Sequence, residues 1–285
     1  MAIPIINDWE KYFTNHHEGL GSSYERTVLN RILLDLCGRY GVRSALETPS
    51  FGFTGISGIN LLALADAGIE VTLEDDDAHR LQLIADLWQR LGRPLNAIHN
   101  PGFRNLSHPE RSFDLSFSFS ALWFVPDLKI WLVELARVTD KVMFLSVPNR
   151  SGLGYKLQFR DYSAEKYPSL QIGNIDPPSI ISLLGKLGWR LRQSGLFDCP
   201  PWPDIGMTRE ELLRKTLPHL PVPEPAQRNK KSQQQVSILD YYSGQDPDFV
   251  NKMDAYGWLE KIAPNWFKKI WAHHYYMVFD RDQGL

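Results

Sequence analysis

The chain has 285 residues, 31 basic against 33 acidic side chains for a net charge of −2, and 43% hydrophobic residues. That length buries a full core as one α/β domain carrying an insertion, and the balanced charge gives no global field to draw a polyanion, so nucleic acid is disfavoured as a partner. Only Cys37 and Cys199 are present, without Cys-x-x-Cys or Cys/His ligand spacing, which excludes a disulfide framework and fits a reducing, cytoplasmic setting. The opening MAIPIINDWEKYF lacks a basic n-region and a long apolar h-region, and no apolar run reaches the roughly 20 residues that span a bilayer.

In chain order, Val28, Ile32, Leu33 and Leu36 fall at helical spacing and predict an amphipathic helix over 24–36. A strand beginning at Ser44 ends near Glu47 and is followed by a turn holding Gly52, Gly55 and Gly58, from which the next helix is expected to open. A second apolar run over 69–73 ends in Glu74, Asp75, Asp76 and Asp77. Leu81, Ile84, Ala85, Trp88 and Leu91 form another helical stripe, and a short third strand covers 95–99. Phe113, Leu115, Phe117 and Phe119 alternate with Asp114, Ser116 and Ser118 at strand period. A helix starting at Pro126 and Asp127, a strand over 142–147, a helix over 179–187 and a strand over 189–197 follow. Between them 151–169 reads as a loop. The alternation argues for a doubly wound, mainly parallel sheet.

The segment 44–77 carries the chemistry. Glycines three apart supply positive φ or close backbone approach, and unpaired N–H groups at a following helix start would face a polar ligand. Asp75 lies 20 residues after Gly55, the spacing at which dinucleotide folds place a ribose-binding carboxylate. A phosphate-binding P-loop is set aside, because Gly58 is followed by Ile59 and Asn60 rather than Lys-Ser/Thr. Two other readings stand beside the cofactor turn. One is a tight turn with no ligand; the other takes Asp75 and Asp77 as the Asp-x-Asp of a metal-dependent sugar-nucleotide transferase.

The order of elements resembles the class I S-adenosylmethionine-dependent methyltransferases, most clearly in FDLSFSFSALWFVPD, similar to the fourth-strand signature of the small-molecule members, and in VMFLSVPN, similar to their fifth strand. The resemblance covers 44–198 and a closing strand over 275–279. It implies a seven-stranded, Rossmann-like sheet whose last strand is antiparallel, with S-adenosyl-L-methionine as cofactor. On that basis 1–43 is an N-terminal helical extension, 44–198 the core, 199–271 an insertion or cap, and 272–285 the final strand. By the resemblance Glu47 holds the methionine end of the cofactor, and Asp75, with Glu74 as register alternative, its ribose. Asp76 borders adenine, the segment from Asn100 to Phe103, with Gly102 in it, lies near its other edge, and Ser118, Phe119 and Ser120 line the methyl-transfer region. The departure lies in the turn. Glu47 is followed by Thr-Pro-Ser-Phe-Gly-Phe-Thr-Gly, about five residues longer than the family's motif if Gly58 opens the helix, with Pro49 unable to donate and two bulky phenylalanines.

Methyl transfer is an in-line displacement that demands positioning and, for a protonated acceptor, a base, so no catalytic motif is obligatory. Candidate bases are His16 and His17 in the extension and His273 and His274 near the last strand, with Tyr24, Tyr155 and Tyr162 as candidates for an acceptor pocket. Ordinary structural roles compete for each of them. Metal ligation by the histidine pairs is set aside, since adjacent strand residues point to opposite faces, and no metal is expected. Trp202, Trp258, Trp266 and Trp271 make the insertion aromatic, and WFKKIW carries a weak mark of peripheral membrane contact. The leading expectation is a methyltransferase acting on a small-molecule or lipid-linked acceptor. The rival is a catalytically silent methyltransferase-like binding or scaffold protein.

Overall fold

The computed structural model describes residues 5–51, 55–160, 162–200 and 236–281. Gly52, Trp202 and the polar run 227–235 lie outside the described residues. Helices α1 (Ile5–Asp8), α2 (Lys11–Thr14) and α3 (Gly19–Tyr40) precede a sheet of β1 (Ser44–Glu47), β2 (Glu70–Asp75), β3 (Asn96–His99), β4 (Phe113–Phe119), β5 (Thr139–Pro148), β6 (Trp189–Phe197) and β7 (His274–Arg281). Helices α4 (Leu62–Asp66), α5 (Ala78–Arg90), α6 (Leu128–Val138), α7 (Leu153–Phe159) and α8 (Pro177–Lys186) connect them, and α9 (Leu239–Tyr242), α10 (Phe249–Asp254), α11 (Trp258–Ile262) and α12 (Asn265–Trp271) precede the last strand. Strand order is β3-β2-β1-β4-β5-β7-β6, with β7 antiparallel to both neighbours. This is the doubly wound, seven-stranded sheet the sequence predicts. No helix among the described residues is long and apolar enough to cross a membrane.

Side-chain alternation builds one core on each face. On β5, Val142 and Phe144 join α3, α4 and α5, whereas Met143, Leu145 and Val147 join α6 and α8. Asp77, Asp127 and Asp176 cap α5, α6 and α8 by accepting backbone N–H groups of the first turn.

Three elements differ from expectation. Helix α3 begins at Gly19, because Ser22 through Thr27, polar residues included, are all buried and carry no amphipathic stripe. The segment 151–169 holds α7, whose Tyr155 and Phe159 stack at 4.1 Å while Phe159 also meets Tyr162 and Trp123. No helix opens at Gly58. Trp88 Nε1–H donates to the Gly58 carbonyl at 2.8 Å and Arg26 Nη2–H to the Ile56 carbonyl at 2.5 Å, so side chains hold the turn and α4 starts only at Leu62.

Gly58 has φ +72°, and a Cβ there would sit 2.7 Å from Ile84. Gly58→Ala is expected to cost roughly 2–4 kcal/mol, combining a left-handed alanine with overpacking. Urea unfolding checks this in a cycle with Ile84→Ala: truncating Ile84 should cost less in the Gly58→Ala background than in the native chain. Equal costs would remove the steric explanation.

Candidate functional site

The glycine turn is fastened to α3 by a buried ion pair. Glu18 and Arg26 are each 2% exposed; Arg26 donates to Glu18 Oε2 from Nε at 3.0 Å and Nη2 at 2.8 Å, and the Ile56 N–H donates to the same oxygen at 3.1 Å. A Cβ on Gly55, φ +68°, would stand 2.5 Å from Glu18 Oε2. The missing side chains of Gly55 and Gly58 therefore make room for Glu18 and Ile84. Arg26 Nη1 also donates to Asn60 Oδ1 at 2.5 Å, and Asn60 Nδ2 to Glu47 Oε1 at 2.6 Å. Glu47, at the end of β1, keeps Oε2 buried with no hydrogen-bond partner. Burial pushes its carboxyl up to about 8, against the Asn60 hydrogen bond and the Arg26 charge, which pull it down.

At the end of β2 the acids are already engaged. Arg80 donates to Asp75 Oδ1 from Nε and Nη2 and to Oδ2 from Nε, at 2.7–3.0 Å, and Ser50 Oγ–H and the Asp77 N–H donate to the same carboxylate. The guanidinium lies 4.1 Å from the Phe51 ring centroid and 5.2 Å from that of Trp9. Asp76 takes a further Arg80 N–H at 2.8 Å, and its carboxyl is raised by burial. Glu74 faces Thr48, Asn100 and His108, which donate to its two oxygens. Asn100 leads into the one-turn 3₁₀ helix Pro101–Phe103, where Gly102 has φ +76°.

The carboxyl end of β4 carries a second network. Ser118 is fully buried, with Oγ lacking a partner. The Phe119 ring lies 4.9 Å from that of His274. Ser120, in the left-handed region at φ +49°, has Oγ 2.7 Å from His274 Nδ1, and His274 Nε2 is 2.8 Å from Glu25 Oε2. With Nε2–H donating to the carboxylate, a neutral ring leaves Nδ1 to accept the Ser120 hydroxyl proton. Beside it, His273 Nδ1–H donates to Asp198 Oδ2 at 2.6 Å. Tyr24 Oη–H donates to Glu260 Oε1 at 3.3 Å, and its phenol is raised by burial and then by the Glu260 and Asp198 charges.

Of the candidate bases, Tyr24, His273 and His274 thus gather at one end of the sheet. His16 instead donates to the Phe13 carbonyl in its own turn, and His17 Nδ1 is buried without a partner. Sequence reasoning missed Glu18, Glu25, Arg26, Arg80 and Asp198. Only Arg80 left a readable signal, a basic residue in the first turn of α5 close behind the acidic run 74–77.

The fit to S-adenosylmethionine is divided. The unpartnered oxygens of Glu47 and Ser118 suit the polar groups of a ligand, but Asp75, expected to hold the ribose, already accepts all the donors its lone pairs can hold.

Residues 53–142 match the methyltransferase domain family. Solved structures with similar folds include a putative sarcosine dimethylglycine methyltransferase from Galdieria sulphuraria, at 14% identity and TM-score 0.50 over 88% of this chain and 84% of that one. The [4+2]-cyclase SpnF matches at 14% identity and TM-score 0.50 over 90% and 82%, and geranyl diphosphate methyltransferase in complex with SAM at 9% and 0.50 over 90% and 85%. No curated protein is found to match the sequence. The matched methyltransferase domain thus lies within a seven-stranded sheet whose last strand is antiparallel, a fold similar to that of these solved methyltransferase structures.

Proposed function

We propose that this chain transfers a methyl group from S-adenosylmethionine to a small-molecule or lipid-linked acceptor at the carboxyl ends of β1, β2 and β4. When bound, the cofactor supplies an electrophilic methyl group on a sulfonium sulfur. The observation that carries the reading is the pair of unpartnered buried oxygens, Glu47 Oε2 and Ser118 Oγ, at the ends of two adjacent strands. Glu47 would receive the methionine ammonium, Asp75 the ribose once Arg80 withdraws, and Asn100 and Gly102 would border the base. Support for an apolar acceptor comes from α11 and α12, where Trp258, Ile262, Trp266 and Ile270 are 42–70% exposed. These helices run into β7 and are tied to the end of β5 by Asn149 Nδ2, which donates to the Lys269 and Ala272 carbonyls. The Asp75–Arg80 lock favours a second reading, a methyltransferase-like binding protein that does not use the cofactor.

Calorimetric titration with S-adenosylmethionine and S-adenosylhomocysteine separates the two. Saturable one-to-one binding is expected; none at millimolar ligand would sink the enzyme reading. Because Glu47 is mostly protonated below about 8, an ammonium beside it expels the proton, and affinity should rise up to about tenfold per pH unit toward that value. Buffers of different ionisation enthalpy report the released proton, and Glu47→Gln should abolish it. In the free protein the same raised carboxyl contributes stability fully below its ordinary 4.5, lost as pH climbs through about 8. Glu47→Gln should flatten that loss in a series of urea titrations from pH 4 to pH 9.

Arg80→Lys keeps the charge but gives up the bidentate fork. If the ribose needs Arg80 withdrawn, this variant should bind S-adenosylhomocysteine several-fold tighter. Unchanged affinity would place the ribose elsewhere.

A further inference from the structure

At the β6 and β7 end of the sheet, Glu25 from α3, Asp198 after β6 and His273 before β7 each bring one ligand atom to within 4.8 Å of the other two. Glu25 is 5% and Asp198 1% exposed. One oxygen of each is hydrogen-bonded, Glu25 Oε2 to His274 and Asp198 Oδ2 to His273. The other oxygen of each, Glu25 Oε1 and Asp198 Oδ1, is buried with no partner. A buried acceptor left unsatisfied is costly and a charged one more so, and two such oxygens in one cluster suit a cation. Among the described residues no lysine or arginine pairs with either carboxylate; their ion-pair partners are imidazoles. A third acid, Glu260, adds to the local charge, accepting from the Tyr24 hydroxyl and from the Cys199 N–H and thiol.

We propose that Glu25, Asp198 and His273 bind a divalent transition-metal ion of the zinc class. Two carboxylate oxygens and one imidazole nitrogen form a borderline donor set, suited to Zn²⁺ and, with its oxygen majority, also to Mn²⁺. The Cys199 thiol lies outside this donor set and donates instead to Glu260 at 3.3 Å. Tetrahedral zinc with bonds near 2.0–2.1 Å holds its donors roughly 3.4 Å apart, so loading draws the three side chains together. The proton on His273 Nδ1 leaves to solvent if that nitrogen ligates. Glu25 Oε2 keeps its hydrogen bond to His274, so Glu25 spans the ion and the imidazole that meets Ser120. Three protein donors leave a tetrahedral ion one position for water or another oxygen ligand. The histidines do diverge, as adjacent residues should; the carboxylates they reach are what converge.

The test does not depend on methyl transfer. The full chain, stripped with chelator, is titrated with Zn²⁺ and separately with Mn²⁺, and metal retained after dialysis is counted by mass spectrometry. One ion per chain is expected. Asp198→Asn and Glu25→Gln should each weaken binding by more than the roughly 10–100-fold that outer-shell groups carry, while His79→Ala, a surface histidine, leaves it unchanged. No binding of either ion, or binding that both carboxylate variants retain, would overturn the assignment. Co²⁺ loading of the unaltered chain guards against variants that fail to fold. Visible bands of nitrogen and oxygen ligation support the site, whereas a thiolate charge-transfer band refutes it.

Discussion

A single buried guanidinium, that of Arg26, fixes the relation between the N-terminal helix and the end of β1. Burying this charge is costly, and it is tolerated because its donors meet acceptors from three places: Glu18, the Ile56 carbonyl and Asn60. Asn60 passes the constraint to Glu47. The turn thus takes its shape from α3 rather than from a helix of its own, which is why α4 can be short and late without the turn coming apart. It also sets the electrostatics at Glu47. The arginine is one side chain removed, so its charge lowers the carboxyl less than burial raises it. A carboxyl kept mostly neutral in this way, with one oxygen open, is prepared for a cationic group more than for a neutral one.

The same construction recurs at β2. Arg80 holds Asp75 as Arg26 holds Glu18, and both arginines lie on helices that flank the turn. The two pairs close the ends of β1 and β2, with Phe51 against Arg80 and Phe124. The methyltransferase-domain match over 53–142 and the engaged Asp75 are compatible because a fold does not dictate the chemistry at its edge. What the fold does dictate is where that chemistry sits, at the carboxyl ends of the strands.

The sheet was legible because its signals are periodic. The alternation in 113–119 and the strand over 189–197 are found where expected, and Asp127 and Asp176 cap the helices that they were expected to precede. The limits of α3 were not legible from the stripe over 28–36, because Glu25 and Arg26, polar residues ahead of it, are buried against partners 249 and 34 residues away. Glycine spacing located the turn but not its purpose: positive φ at Gly55 and Gly58 was expected, while the Glu18 and Ile84 side chains beside them come from segments that spacing cannot connect. Asp198 is another such residue. Its φ of +61° at the exit of β6 is a property of the assembled edge, and no local pattern announces it.

The two halves of that edge treat buried acids differently. Around β1 and β2, Glu18 and Asp75 are neutralised by guanidinium groups that stay charged at any physiological pH and hold their partners in a fixed fork. Around β4, β7 and β6, the ion-pair partners of Glu25 and Asp198 among the described residues are imidazoles, each satisfying one oxygen and leaving the other bare. An incoming ligand must displace an arginine from Asp75, but it need displace nothing from Glu25 Oε1 or Asp198 Oδ1. Ser120 joins the halves: its left-handed backbone ends the strand next to β1, and its hydroxyl meets the imidazole held by Glu25. A group seated at the β6 and β7 side therefore reaches the carboxyl end of β4 through two hydrogen bonds, without passing through the glycine turn.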